Sequence, residues 1–364
     1  MNLFNPDAEP LYKQFISKYP YHAKASLAHF DLATFYYNGK KYEKAIQYFE
    51  KVNHENLNEE QQLDANFKLA YSYLNVKAFD KAVPLFNKIK GGKHKYTYAA
   101  SYYAGYLEFR NGEYDAALAD LKKAEENESY KPLVPYMIVN IYYKKGELDQ
   151  LIAYAGTVTS SKQDIQNADE FYLLTGEAYF RKEEYLKAEE NFSKYIRTAK
   201  VKANPEIQYR LSYSQFKNGQ YEDAAENFKV LAIGNDSISQ ASAYYLGVSY
   251  LQTGKKDFAV TAFDQARKSN QNKDIQKEAL FNYGKVNFDL ERYTQAIPAL
   301  KEFLKTYPTS THVPEATEIL SESLLKTKDY SDAISYIEGI KSRSLRINAT
   351  YQIVTFFERY RAVE

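Results

Sequence analysis

The 364-residue chain has no cysteine, no tryptophan and only two methionines. Without cysteine there is no disulfide, no thiol nucleophile and no thiolate metal site. A cysteine-free chain suits the cytosol and the bacterial periplasm alike, so the compartment stays open. Charge of one sign is also lacking: 48 Lys and Arg offset 47 Asp and Glu, for a net +1. No global field then draws the chain to nucleic acid or to an anionic membrane surface. No apolar run approaches the eighteen or so residues that cross a bilayer. Met1 to Pro6 has neither the basic start nor the apolar stretch of a signal peptide.

Catalytic and cofactor signatures are missing as well. No Gly-x-Ser-x-Gly elbow and no glycine-rich phosphate loop is present. Of the five histidines, only His22 and His29 are near one another, and no carboxylate cluster accompanies them. A packed histidine is therefore favoured over a metal ligand at His29. The expectation is a chain with no catalytic residue, no cofactor and no metal.

What is present is a period. Small or aliphatic residues stand at 45, 82, 117, 151, 188, 224, 259, 296 and 333, spaced 34 to 37 apart, and eight of the nine are alanine. An aromatic residue usually precedes each by three, and an aromatic or aliphatic one follows by four, as in Tyr42/Ala45/Phe49 and Tyr221/Ala224/Phe228. Twelve residues before each anchor stand Ala33, Ala70, Gly105, Val139, Gly176, Ser212, Gly247, Gly284 and Ser321. Apolar residues around them recur at helical spacing. Breakers such as Asn38-Gly39, Asn111-Gly112, Lys145-Gly146, Asn218-Gly219 and Thr253-Gly254 then close the helix, where glycine can take a positive φ. Each unit reads as helix A, tight turn, helix B, longer turn. Fixed periods of this length mean a repeat array, built to bind more often than to catalyse.

The pattern resembles the tetratricopeptide repeat (TPR) family over nearly the whole chain. It is carried by the small helix-A position (Gly105, Gly176, Gly247, Gly284), the tyrosine three beyond it (Tyr36, Tyr73, Tyr142, Tyr179, Tyr250), the helix-B alanine, the following aromatic, and closing prolines at Pro20 and Pro308. It departs in lacking tryptophan and in its longer period. The resemblance implies an all-α, right-handed superhelical solenoid of antiparallel helix pairs. It implies a non-catalytic protein-binding scaffold, similar to long bacterial TPR arrays, some tied to the cell envelope. A regulatory or sensory module of a larger signalling protein is the alternative. The carboxylate clamp of chaperone-adaptor members has no counterpart, since Phe30/Thr34, Phe67/Tyr71 and Ala99/Tyr103 fill its positions.

In that fold helix A lines the inner, concave face. The expected partner-binding ladder is Phe30, Phe67 and Tyr71, Tyr102 and Tyr106, Tyr136 and Asn140, Tyr209 and Tyr213, and Tyr244. Tyrosine suits such a surface because it joins a large apolar body to a polar tip. The alternative is that these rings pack helix A on helix A. The partner is expected to be a protein or peptide segment, with no nucleic acid and no membrane insertion.

The domain reading is a continuous solenoid over 1–364, a fragment of a longer protein, with partial repeats at 1–20 and 345–364. Self-association through uncapped ends, such as the apolar Val354, Phe356 and Phe357, is the alternative to a fragment. Leu151 and Ala155 make the fourth unit irregular, and the polar stretch Gly156 to Asp164 follows. A kink is expected near 156–168, dividing 1–155 from 169–364.

Overall fold

The eight anchor alanines and Leu151 are fully buried, and all nine small positions of helix A are buried as well. In the computed structural model residues 8–199, 204–328, 330–340 and 343–361 are described, and they form twenty α-helices with no strand among them. Contacts divide the chain into two compact units, Met1–Ala178 and Tyr179–Glu364.

The first unit holds α1 (Ala8–Lys18), α2 (Ala23–Asn38), α3 (Tyr42–Phe49), α4 (Glu59–Asn75), α5 (Phe79–Ile89), α6 (Thr97–Asn111), α7 (Tyr114–Glu125), α8 (Pro135–Lys145), α9 (Leu148–Ser160) and most of α10 (Ala168–Arg181). The second holds α11 (Tyr185–Thr198), α12 (Pro205–Lys217), α13 (Tyr221–Leu231), α14 (Ser237–Gln252), α15 (Lys256–Lys268), α16 (Lys273–Asp289), α17 (Tyr293–Thr306), α18 (Val313–Lys326), α19 (Tyr330–Glu338) and α20 (Arg343–Arg361). From α2 onward, even-numbered helices are helix A and odd-numbered ones helix B of successive hairpins.

The hairpins close because the residue four beyond the anchor lies on the small position of its own helix A. A methyl group on Gly247 would sit 2.7 Å from the Phe263 ring, and one on Gly105 or Gly284 would sit 2.9 Å from Leu121 or Leu300. These contacts have no room for a side chain. The same residue also reaches the next hairpin, as Phe86 does by meeting both Phe67 (6.0 Å between centroids) and Tyr103 (5.4 Å).

Every tight turn puts a residue at positive φ five before the anchor: Lys40, Lys77, Gly112, Gly146, Glu183, Gly219, Gly254, Glu291 and Lys328. This corrects the reading of Asn38-Gly39. Gly39 has φ −81°, and Lys40 takes the left-handed conformation at φ 55°. The register is set by the start of helix B, so a glycine one residue early cannot serve.

The longer turns between hairpins are held by helix-A side chains, which is how periods of up to 37 are accommodated. Ser26 Oγ exchanges hydrogen bonds with the Asn53 backbone, donating at 2.9 Å and accepting at 2.8 Å. Gln240, almost fully buried, donates to the carbonyls of Ala266, Ser269 and Asn272.

The polar stretch from Gly156 does not end the helix, since 156–160 continue α9. Val158 is buried on the same face as Leu151 and Ala155, and Thr159 Oγ1 donates back to the Ala155 carbonyl at 2.9 Å. That apolar face offsets the glycine. At the far end of the chain Val354 is about half exposed, whereas the side chains of Phe356 and Phe357 lie outside the described residues.

Candidate functional site

The ten residues of the expected ladder fall into three environments. Phe30 and Phe67 retain 8% exposure each and are core side chains. Phe67 stacks on Tyr96 with centroids 4.1 Å apart and meets Phe86 edge-on, and Phe30 meets Phe49 at 6.4 Å. Their position, three residues before the small one, points into the seam with helix B and the next helix A, where a ring with no polar tip seals well. Tyr71, Tyr102, Tyr136, Asn140, Tyr209, Tyr213 and Tyr244 are half-buried, and Tyr106 is 38% exposed. Asn140 Nδ2 donates to Tyr136 Oη at 3.1 Å.

Two of these tyrosines organise matching clusters, one in each unit. Tyr71 meets Tyr37, Tyr42 and Tyr103 edge-on at 5.8, 6.0 and 5.3 Å and lies parallel to Phe67 at 6.3 Å. Tyr213 meets Phe180, Tyr185 and Tyr245 edge-on at 5.8, 5.8 and 5.0 Å and lies parallel to Tyr209 at 6.1 Å. Each member of the second cluster stands 142 or 143 residues after its counterpart, four repeats along. Tyr102 and Tyr244 occupy the same place beside Tyr103 and Tyr245, at 5.2 Å in both. Edge-to-face contacts of this kind add about 0.5–1.5 kcal/mol per pair beyond burial.

Besides exchanging Tyr37 for Phe180 and Phe67 for Tyr209, the clusters differ beside their rings, at Leu74, Lys77, Tyr106 and Arg110, where the second unit has Phe216, Gly219, Val248 and Gln252. In the first unit a cleft of ≈ 430 Å³ opens beside the rings, lined by Tyr71, Leu74, Asn75, Lys77, Phe79, Tyr102, Tyr103, Tyr106 and Arg110. The residue equivalent to Leu74 in the second unit is Phe216. Its ring lies 6.3 Å from Tyr213, 5.6 Å from Tyr221 and 5.3 Å from Tyr245. A larger side chain there packs on the rings, where the first unit has a leucine on the cleft wall.

So three ladder residues, Tyr71, Tyr102 and Tyr106, come together in the cleft. Leu74, Asn75, Lys77, Phe79, Tyr103 and Arg110 were not anticipated. For Leu74, Asn75 and Arg110 the signal was the continuation of the inner stripe one further helical turn, at the fourth and fifth residues after the small position, for Lys77 and Phe79 the turn behind it, and for Tyr103 only its place beside Tyr102.

The cleft is electrostatically one-sided. Lys77 and Arg110 line it and no carboxylate does. The Arg110 guanidinium lies 4.0 Å over the Phe79 ring. Burial, reinforced by Tyr106 and Tyr130, raises the pKa of Tyr102. Burial, then the neighbouring Tyr71, raises that of Tyr103. Their hydroxyls are neutral donors at physiological pH. Asn75 Nδ2 donates to the Tyr71 carbonyl at 2.8 Å.

Histidines do not converge. His22 caps α2, accepting from the Lys24 backbone at 3.0 Å, and burial lowers the pKa of His29 beside Tyr48. Among the described residues no three His, Cys, Asp or Glu side chains are grouped to hold a metal ion, and no helix is long and apolar enough to cross a membrane.

The sequence profile of the tetratricopeptide repeat matches residues 3–56, 173–238, 209–273, 244–311 and 288–344, together more than half of the chain. A search of curated proteins found no match. Among solved structures the chain is similar to YrrB, described as a TPR protein with an unusual peptide-binding site, at 18% identity, covering 54% of this chain and 97% of that one with a TM-score of 0.44. It is similar to a tetratricopeptide repeat protein from Parabacteroides merdae at 16% identity, covering 72% and 98%, with a TM-score of 0.37. It is also similar to the C-terminal part of a TPR repeat-containing protein from Cytophaga hutchinsonii at 18% identity, covering 80% and 99%, with a TM-score of 0.36.

Proposed function

The chain belongs to the tetratricopeptide-repeat family, whose repeats build protein-interaction scaffolds, and from that premise we propose that it captures a peptide-like segment of a partner protein in the tyrosine cleft of its first unit, without catalysing a reaction. One observation carries this reading. The same aromatic cluster is built twice, and only the first copy carries a leucine where the second places the Phe216 ring. Clefts lined by rings with a few polar groups are the usual form of a binding site. Large apolar anchors seated in such clefts dominate binding energy.

The variant Leu74→Phe copies the second cluster into the first. It should keep the helical signal and melting temperature, because the same ring is tolerated four repeats on. It should lower affinity for the cognate partner at least tenfold, measured on purified partner by calorimetry. Unchanged affinity with an intact fold would place the partner elsewhere. Baiting envelope and soluble fractions of the source cells separately distinguishes an envelope scaffold from a signalling module.

A further inference from the structure

We propose that the cleft is built for an acidic segment, one in which an apolar side chain is followed closely by Asp or Glu. The inference rests on the binding reading above and adds the chemistry of the occupant. Leu74, Phe79 and the tyrosine rings supply an apolar floor. The two charged residues on its wall are both cations, in a chain whose net charge is only +1, so the local excess is not a reflection of the whole.

Those two cations are also uncommitted. Elsewhere in the first unit, lysines near the helix seams are paired: Lys68 with Asp64 at 3.3 Å, Lys95 with Asp64 at 2.7 Å, and Lys145 with Asp115 at 2.6 Å. Among the described residues Lys77 and Arg110 make no ion pair. Arg110 is nevertheless held in place, with its guanidinium over Phe79. Stacking uses the face of the guanidinium and leaves its in-plane N–H donors free, and that edge matches a carboxylate in a two-point fork. A positioned arginine with an unused fork, beside an apolar floor and a second cation, selects a carboxylate over a neutral amide. Lys77 adds a less directional attraction from the turn.

The test uses the full chain and short peptides with acetylated and amidated ends, so that no terminal carboxylate is present. Each carries a central Phe flanked by positions drawn from Asp, Asn, Lys and Ser. Retained peptides should be enriched in Asp beside the Phe. The affinity of an Asp-flanked probe, read by fluorescence anisotropy, should fall about tenfold in Arg110→Gln, the loss of one charge-assisted contact. It should fall less in Lys77→Asn, a residue that tolerates the left-handed turn. Arg110→Lys should recover only part, and added salt should weaken the wild type more than Arg110→Gln. Peptides retained without preference for Asp, yet lost in Leu74→Phe, would overturn the acidic occupant and leave the cleft as a binding site. Peptides retained equally by Leu74→Phe, or none retained, would overturn both.

Discussion

Five turn residues adopt a conformation that a side chain disfavours. Lys40, Lys77, Glu183, Glu291 and Lys328 have φ between 55° and 62°, where glycine stands in four sister turns. A left-handed L-residue costs about 1–2 kcal/mol, against a smaller entropic loss for glycine. Glu291→Gly should therefore raise the melting temperature, and Gly254→Glu should lower it by a comparable amount. Equal and negligible effects would contradict the register of the turns.

Glu108 gives a pH dependence. It is buried on α6 with Oε2 unpartnered, Oε1 3.4 Å from Lys90 Nζ, and Asp120 sharing the same lysine. Burial, then the Asp120 charge, push its pKa up to about 7 from an ordinary 4.5. The folded chain thus holds this proton more tightly than the unfolded chain. The group's contribution is present at low pH and is lost as pH rises from about 4.5 through about 7. Beyond that, two carboxylates face one lysine. Glu108→Gln should be more stable than wild type at pH 8 and lose that advantage at pH 5, in paired thermal melts.

Residue-scale geometry also separates the tyrosines that the sequence could only group. Tyr71 touches four rings and Tyr106 is 38% exposed. Tyr71→Ala should lower the melting temperature clearly. Tyr106→Ala should cost the fold within about 0.5 kcal/mol.

At the scale of the helix, two glycines test the packing. Gly247 lies in α14 with the Phe263 ring 2.7 Å from where a methyl would go, and Gly156 lies in α9 with nothing within 4 Å. Gly247→Ala should destabilise by about 1–3 kcal/mol through overpacking. Gly156→Ala should stabilise by about 0.5–1 kcal/mol, because alanine is the better helix former. Denaturant midpoints with unchanged slopes would show both.

Most of the hairpins were legible because anchor and small position are both read from residue size. Ala259 and Gly247 leave no alternative but close approach, and the period repeats it nine times. The end of α9 was not legible, because Gly156-Thr157-Val158-Thr159 is a poor helix by local preference and only the buried Val158 decides. Which ring of each ladder pair is buried was equally hidden. Phe67 and Tyr71 sit one turn apart, and the seam that covers Phe67 belongs to the next hairpin. The cleft wall has Leu74 where the second unit has Phe216, a difference that looks conservative until the surrounding rings are placed.

At the scale of the molecule, the two units repeat one aromatic design over four repeats, and the account assigns capture to the first. The two copies serve as site and control within one chain. Hydrogen exchange on the full chain with its purified partner segment compares them in a single experiment. The account predicts added protection at residues 71–77 and 102–110, with residues 213–219 and 244–252 unchanged. Protection confined to the second set, or spread over the helix-B faces with none at the cleft, would contradict it.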